Sequence, residues 1–175
     1  MAEKRSGATF ESIMNDLKAR KFKPVYLLMG DEPYYIDKIS EYIAENAIGP
    51  EERDFNQMVL YGLDTTPVQV MDGAHALPMM AEYQVIIVRE AQLMKNIELL
   101  EKYLVKPVPS TILVICYKKE APKSHKGWIG EAEKNGVFFE SKKLRDYQLP
   151  SFVVSYLKGR GVDIDQKACS MICDS

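Results

Sequence analysis

The segment Val25-Tyr26-Leu27-Leu28-Met29 constrains this chain more than any other. Five large apolar residues stand in a row, introduced by Pro24 and closed by Gly30, so the run has the length of a strand and no polar alternation. Such a strand is buried on both faces, and a sheet covered on both faces needs helices above and below it. The next residues supply one. After Gly30-Asp31-Glu32, Pro33 suits a first helical turn, where its missing N–H costs nothing, and Tyr35, Ile36, Ile39, Tyr42 and Ile43 recur with helical spacing.

The same unit recurs along the chain. Phe10, Ile13, Met14 and Leu17 predict an opening helix. Phe55 to Leu60 reads as a strand, Thr65 to His75 as a helix capped by Thr65 or Thr66, and Gln84 to Arg89 as a β-branched strand. Asn96 to Leu104 reads as a helix, Thr111 to Tyr117 as a strand, Lys126 to Lys134 as a short helix, and Val137 to Glu140 as the last strand. Strands alternating with helices imply an α/β fold, a three-layer and mainly parallel sheet. Neither a repeat nor a low-complexity tract is evident.

The pattern changes after residue 140. Ser141-Lys142-Lys143-Leu144-Arg145 is a polar, basic connector, followed by helical spacing at Phe152, Val153, Tyr156 and Leu157, then at Ala168, Met171 and Ile172. We expect an α/β domain over 1–140 and the start of a small helical domain over 141–175. Some 35 residues are too few to bury a core alone, so the chain reads as a fragment of a longer protein.

Composition narrows the function. With 46% hydrophobic and 27% charged residues the chain is of globular type, and 23 Lys and Arg against 25 Asp and Glu give a formal charge of −2. No overall positive field exists to hold a polyanion, so any nucleic-acid contact must be local. Apolar runs such as Val85-Ile86-Ile87-Val88 fall far short of the ~20 residues that span a bilayer. The polar start Met1-Ala2-Glu3-Lys4-Arg5-Ser6 lacks a signal-peptide pattern, and Cys116, Cys169 and Cys173 lack metal-type clustering; the expected setting is cytoplasmic, with reduced thiols and no membrane.

Motifs for chemistry are sparse. The turn after the first strand is where a nucleotide-binding fold places its phosphate loop. Here Gly30-Asp31-Glu32-Pro33-Tyr34-Tyr35-Ile36-Asp37 offers one glycine, three acids and a proline, with no Lys-Ser or Lys-Thr pair. Asp31 and Glu32 repel a triphosphate and complement the helix dipole themselves. The only histidines, His75 and His125, lie in no nucleophile motif, and Trp128 reads as a packing anchor. Neither a cofactor nor a metal is expected.

Two segments say more. In Ala74-His75-Ala76-Leu77-Pro78-Met79-Met80-Ala81-Glu82 the helix runs to Ala76, and large apolar residues then surround a proline just before a strand. Two readings stand at this point: Leu77, Met79 and Met80 close the end of the core, or they form an apolar plug for a partner's pocket, a role suited to pliable methionines. The second segment is basic. Lys118, Lys119 and Lys123, with Lys126 and then Lys142, Lys143 and Arg145, follow strand ends that share one edge of a parallel sheet, and Lys118, Lys119, Lys123 and Lys142 are candidate DNA contacts beside the plainer reading of a solvated rim.

Pro24-Val25-Tyr26-Leu27-Leu28-Met29-Gly30-Asp31-Glu32-Pro33-Tyr34 resembles the opening of the bacterial DNA polymerase III delta subunits, the clamp-loader wrenches. Ala76-Leu77-Pro78-Met79-Met80-Ala81-Glu82-Tyr83-Gln84-Val85-Ile86-Ile87-Val88-Arg89 is similar to that family's Leu-Pro-aromatic-aromatic segment before an apolar strand. Thr111 to Cys116, Lys118-Lys119 and Leu149-Pro150-Ser151-Phe152 sit at the intervals the family shows. The resemblance implies an AAA+-like fold, related to P-loop NTPases, with a degenerate phosphate loop, a small helical second domain, and a third, collar domain that this chain lacks. It further implies a non-catalytic subunit of a DNA-directed DNA polymerase assembly. Leu77, Pro78, Met79 and Met80 occupy the clamp-binding position, with methionines in place of aromatics and Leu77 and Met79 as the expected anchors. The implied partners are the sliding clamp (beta subunit), the gamma/tau and delta prime loader subunits through the missing collar, and DNA. The rivals are a nucleotide-binding phosphotransferase or nuclease using Asp31, Glu32 or the lysines, and a simple DNA-binding module.

Overall fold

The computed structural model of the chain describes residues 8–142. Five strands, β1 (Val25–Gly30), β2 (Gln57–Tyr61), β3 (Gln84–Arg89), β4 (Thr111–Tyr117) and β5 (Val137–Ser141), form one sheet in the order β2-β3-β4-β1-β5, with every neighbouring pair parallel. The helices are α1 (Phe10–Lys18), α2 (Pro33–Asn46), α3 (Arg53–Asn56), α4 (Pro67–His75), α5 (Glu101–Leu104) and α6 (Trp128–Asn135).

The apolar run of β1 lies between β4 and β5, and all six of its residues are buried. Successive side chains point to opposite faces. Tyr26 and Leu28 join Val85, Ile87, Ile112 and Val114 beneath α1 and α2, which contribute Ile13, Leu17, Ile36, Ile39 and Ile43. Val25, Leu27 and Met29 join Ile86, Val88, Leu113 and Ile115 on the other face, against Val70 and Ala74 of α4, Tyr103 and Leu104 of α5, and Trp128, Ile129 and Ala132 of α6. The result is the expected three-layer α/β arrangement. Full burial of each such side chain is worth about 1.5–3 kcal/mol, so the two apolar cores dominate the stability.

Two expectations shift and a third narrows. The strand read over Phe55 to Leu60 begins only at Gln57, because Arg53–Asn56 completes a helical turn in which the Gln57 N–H donates to the Arg53 carbonyl. The helix read over Asn96 to Leu104 divides into a 3₁₀ turn at Ile97–Leu100 and α5, entered through Asn96 at φ 59°. Of the two proposed caps, Thr66 is the one used: its Oγ1 accepts from Gln69 N–H at 3.2 Å, and Gln69 Oε1 accepts from Thr66 N–H at 3.0 Å.

One compact unit extends to Ser141, the last residue of β5. The expected helical domain over 141–175 lies outside the described residues apart from Ser141 and Lys142, and with it Lys143, Arg145, Phe152, Cys169 and Cys173. No helix among the described residues is long and apolar enough to cross a membrane.

Candidate functional site

Because the sheet is parallel, β1, β3, β4 and β5 all end on one edge, where α/β folds place ligands. At the turn after β1, backbone amides that could cradle a phosphate already have partners. Gly30 N–H donates to the Lys119 carbonyl at 2.8 Å, and Glu32 N–H to the Ser141 carbonyl at 3.3 Å. Pro33 has no N–H, and Tyr34 N–H donates to the Glu32 carboxylate at 3.0 Å, making Glu32 the side-chain cap of α2. Ser141 Oγ closes the turn by donating to the Glu32 carbonyl at 2.7 Å. The residues present do not fit a phosphate group. Gly30, at φ 135°, serves the close passage of β5 instead.

Beside this turn lies an ion triad. Lys118 Nζ is 3.0 Å from Asp37 Oδ1 and 3.3 Å from Glu90 Oε2, joining the end of β4 to α2 and to the end of β3. Gln92 completes it, donating from Nε2 to Glu90 Oε1 at 2.8 Å and accepting from Lys118 N–H at 3.0 Å. The Gln92 hydrogen bond, with Lys118 behind it, holds the Glu90 carboxyl below the ordinary carboxylate range. Burial works to lower the Lys118 pKa, yet the bonds to Asp37 and Glu90 outweigh it and hold the ammonium above its ordinary value. Lys118 is thus engaged within the fold, while Lys119, Lys123 and Lys142 are exposed.

The histidines are also occupied locally. His75 Nδ1 lies 2.9 Å from the Met71 carbonyl, and His125 Nδ1 lies 2.9 Å from Glu133 Oε1. Trp128 is buried with its ring 5.9 Å from that of Tyr117, the packing role expected of it. Among the described residues, no three His, Cys, Asp or Glu side chains gather where they could hold a metal ion.

The apolar segment after α4 is held in another way. A helix end leaves carbonyls without partners, and here two polar side chains from neighbouring strands supply them. Thr111 Oγ1 donates to the Ala74 carbonyl at 2.8 Å, and Gln84 Nε2 donates to the carbonyls of Gly73 at 2.9 Å and Ala76 at 2.6 Å. Ala76 then leaves the helix with extended backbone. Beyond it the chain carries Leu77 at 73%, Met79 at 62% and Met80 at 99% exposure, with Pro78 half-buried. These side chains do not close the core, so of the two readings of this segment the core one is set aside. Asn56, only 3% exposed, holds the segment from the end of α3: its Oδ1 accepts from Met79 N–H at 2.6 Å and its Nδ2 donates to the Met79 carbonyl at 2.9 Å. Met80 follows in the left-handed region at φ 58°.

Residues 26–142, about two thirds of the chain, match the family described as DNA polymerase III, delta subunit. The chain belongs to the DNA polymerase III delta subunit family. A Bacillus subtilis (strain 168) protein named DNA polymerase III subunit delta is 26% identical over 157 residues, covering 83% of this chain and 45% of that protein. The solved structure of the Bacillus subtilis DNA clamp loader delta protein is similar in fold with a TM-score of 0.76 at 24% identity, over 92% of this chain and 50% of that one. This delta-family chain thus spans about half the length of the relatives it matches.

Three residues that shape the exposed segment of this delta-family chain were not singled out from sequence: Asn56, Gln84 and Thr111. Asn56 gave a usable signal, one of two adjacent amides inside what reads as a strand, where an unpaired polar group is costly. Gln84 and Thr111 open their strands and look like ordinary polar boundary residues.

Proposed function

We propose that this chain acts as a non-catalytic clamp-loader subunit that seats Leu77, Pro78, Met79 and Met80 in a hydrophobic pocket of the sliding clamp and favours the ring's open form. The observation that supports this reading is the exposure of Leu77, Met79 and Met80 on a segment whose backbone is tied down on both sides. Large apolar side chains displayed in this way lose water contact only against a partner, and each is worth about 1.5–3 kcal/mol when fully buried. Two or three of them suffice for the central hot spot of a modest interface.

Opening requires no chemistry from this chain. A closed ring and a ring with one parted interface exchange, and a ligand that binds the parted form better shifts the balance by its differential affinity alone. The turn after β1 is closed to phosphate, which agrees with ATP acting in other, motor subunits. Joining those subunits falls to parts of the protein outside the described residues. DNA is a secondary partner, through Lys119 and Lys123 more than Lys118, whose charge is already matched by Asp37 and Glu90.

The test is differential binding. The chain should bind a clamp variant that stays as single subunits more tightly than the closed ring. Equal affinity for the two forms removes the opening role while leaving plug binding in place.

A further inference from the structure

The four residues of the plug, three of them exposed, are held at two points. On one side Gln84 Nε2 grips the Ala76 carbonyl at 2.6 Å; on the other, Asn56 meets both the N–H and the carbonyl of Met79. The Asn56 contact has the form of a strand pairing, made by a side chain. An amide is the neutral group that offers a donor and an acceptor side by side, as a peptide does. It reaches Met79 from 23 residues away, and its Nδ2 also donates to the Glu52 carbonyl at 3.2 Å within its own turn.

What this contact fixes matters for the next residue. Met80 adopts φ 58°, a conformation that non-glycine residues rarely take, and its side chain is 99% exposed, so packing of its own does not hold it there. The restraint must come through its neighbours, and Met79 is the neighbour held at both backbone groups. Without it, Met80 relaxes toward ordinary backbone angles and the directions of Met79 and Met80 change together.

We propose that Asn56 is a positioning residue for clamp recognition: by pairing with the Met79 backbone it keeps the plug in its binding-competent shape without itself touching the clamp. The inference rests on the clamp-binding reading above. Preorganisation of this kind raises affinity by removing the ordering cost from the binding step. Asn56→Ala is therefore expected to weaken clamp binding about tenfold, the scale of two lost hydrogen bonds.

A double-mutant cycle separates this role from a general loss of structure. Glycine adopts positive φ without penalty, so Met80→Gly relieves the conformation that Asn56 imposes. Clamp affinity is measured for the wild type, Asn56→Ala, Met80→Gly and the double variant, each checked by circular dichroism. The expected result is an Asn56→Ala loss of about tenfold with Met80 present and at most about threefold with glycine in its place. An equal loss in both backgrounds, or none with Met80 present, overturns the positioning role while clamp binding stands. If the wild type itself does not bind the clamp, the functional reading falls and this role falls with it. Should Asn56→Ala fail to fold, Asn56→Asp enters the same cycle: it keeps the buried volume and the acceptor for Met79 N–H, and sets an oxygen against the Met79 carbonyl.

Discussion

Gly30 and the carbonyl of Ser141 leave no room for a side chain between them: a Cβ on Gly30 would lie 1.8 Å from that oxygen. Gly30↔Ser141 is the last register pair of β1 with β5, so the turn that resembles a phosphate loop in position is a packing joint in fact. Gly30→Ala should destabilise the chain by about 3 kcal/mol, from backbone clash and a φ of 135° that alanine resists. Urea unfolding checks this; a loss below about 1 kcal/mol would show that β5 can move aside.

Acid should weaken the Lys118 triad. The Glu90 carboxyl is held below its ordinary value of 4.5, first by Gln92 and then by Lys118, so its contribution is present above pH 4.5 and is lost as pH falls through the folded value. Lys118 is raised above 10.5, so its share is present below that pH and is lost on the alkaline side. Glu90→Gln should flatten the acid limb of a stability-versus-pH curve and leave the neutral plateau lower by under about 1 kcal/mol, since Glu90 is partly exposed. An unchanged acid limb would remove Glu90 from the account.

The Cys116 thiol is fully buried, and burial pushes its pKa up to about 11 against a hydrogen bond with Ser40 that works the other way. Alkylation of the native chain at about pH 8, read by peptide mass spectrometry, should leave Cys116 unmodified until urea unfolds the domain. Modification under native conditions would mean that the layer beneath α2 opens locally.

How much of this was legible in the sequence depends on the kind of signal. The β1 run, the spacing of Ile36, Ile39 and Ile43, and Pro33 in a first turn each report burial or backbone geometry at one place, and the three-layer fold follows from them. The exposed segment after α4 was half legible: Leu77, Met79 and Met80 stood out, but spacing cannot tell a residue that closes a core from one that projects beyond it. That difference is made by Asn56, Gln84 and Thr111, whose partners lie 23, 8 to 11 and 37 residues away. The engagement of Lys118 with two acids is likewise set by tertiary contacts, whereas the strand start at Gln57 follows from the local helical turn at Arg53–Asn56.

DNA contact makes its own prediction. Each phosphate neutralised adds about 0.9 to the slope of log affinity against log salt. Lys119→Ala with Lys123→Ala should therefore lower that slope by about 2, and Lys118→Ala should leave it nearly unchanged. A larger effect from Lys118 would contradict the ion triad.

The central claim is that the exposed apolar segment is what the clamp recognises. The direct measurement is the affinity of this chain for the sliding clamp of the same organism, beside a Leu77→Ala, Met79→Ala variant shown by circular dichroism to keep its fold. Removing two exposed apolar side chains that become buried on binding should cost about 3 kcal/mol, a loss of roughly a hundredfold. Equal affinities for the two chains, or no binding by the wild type, would contradict the account.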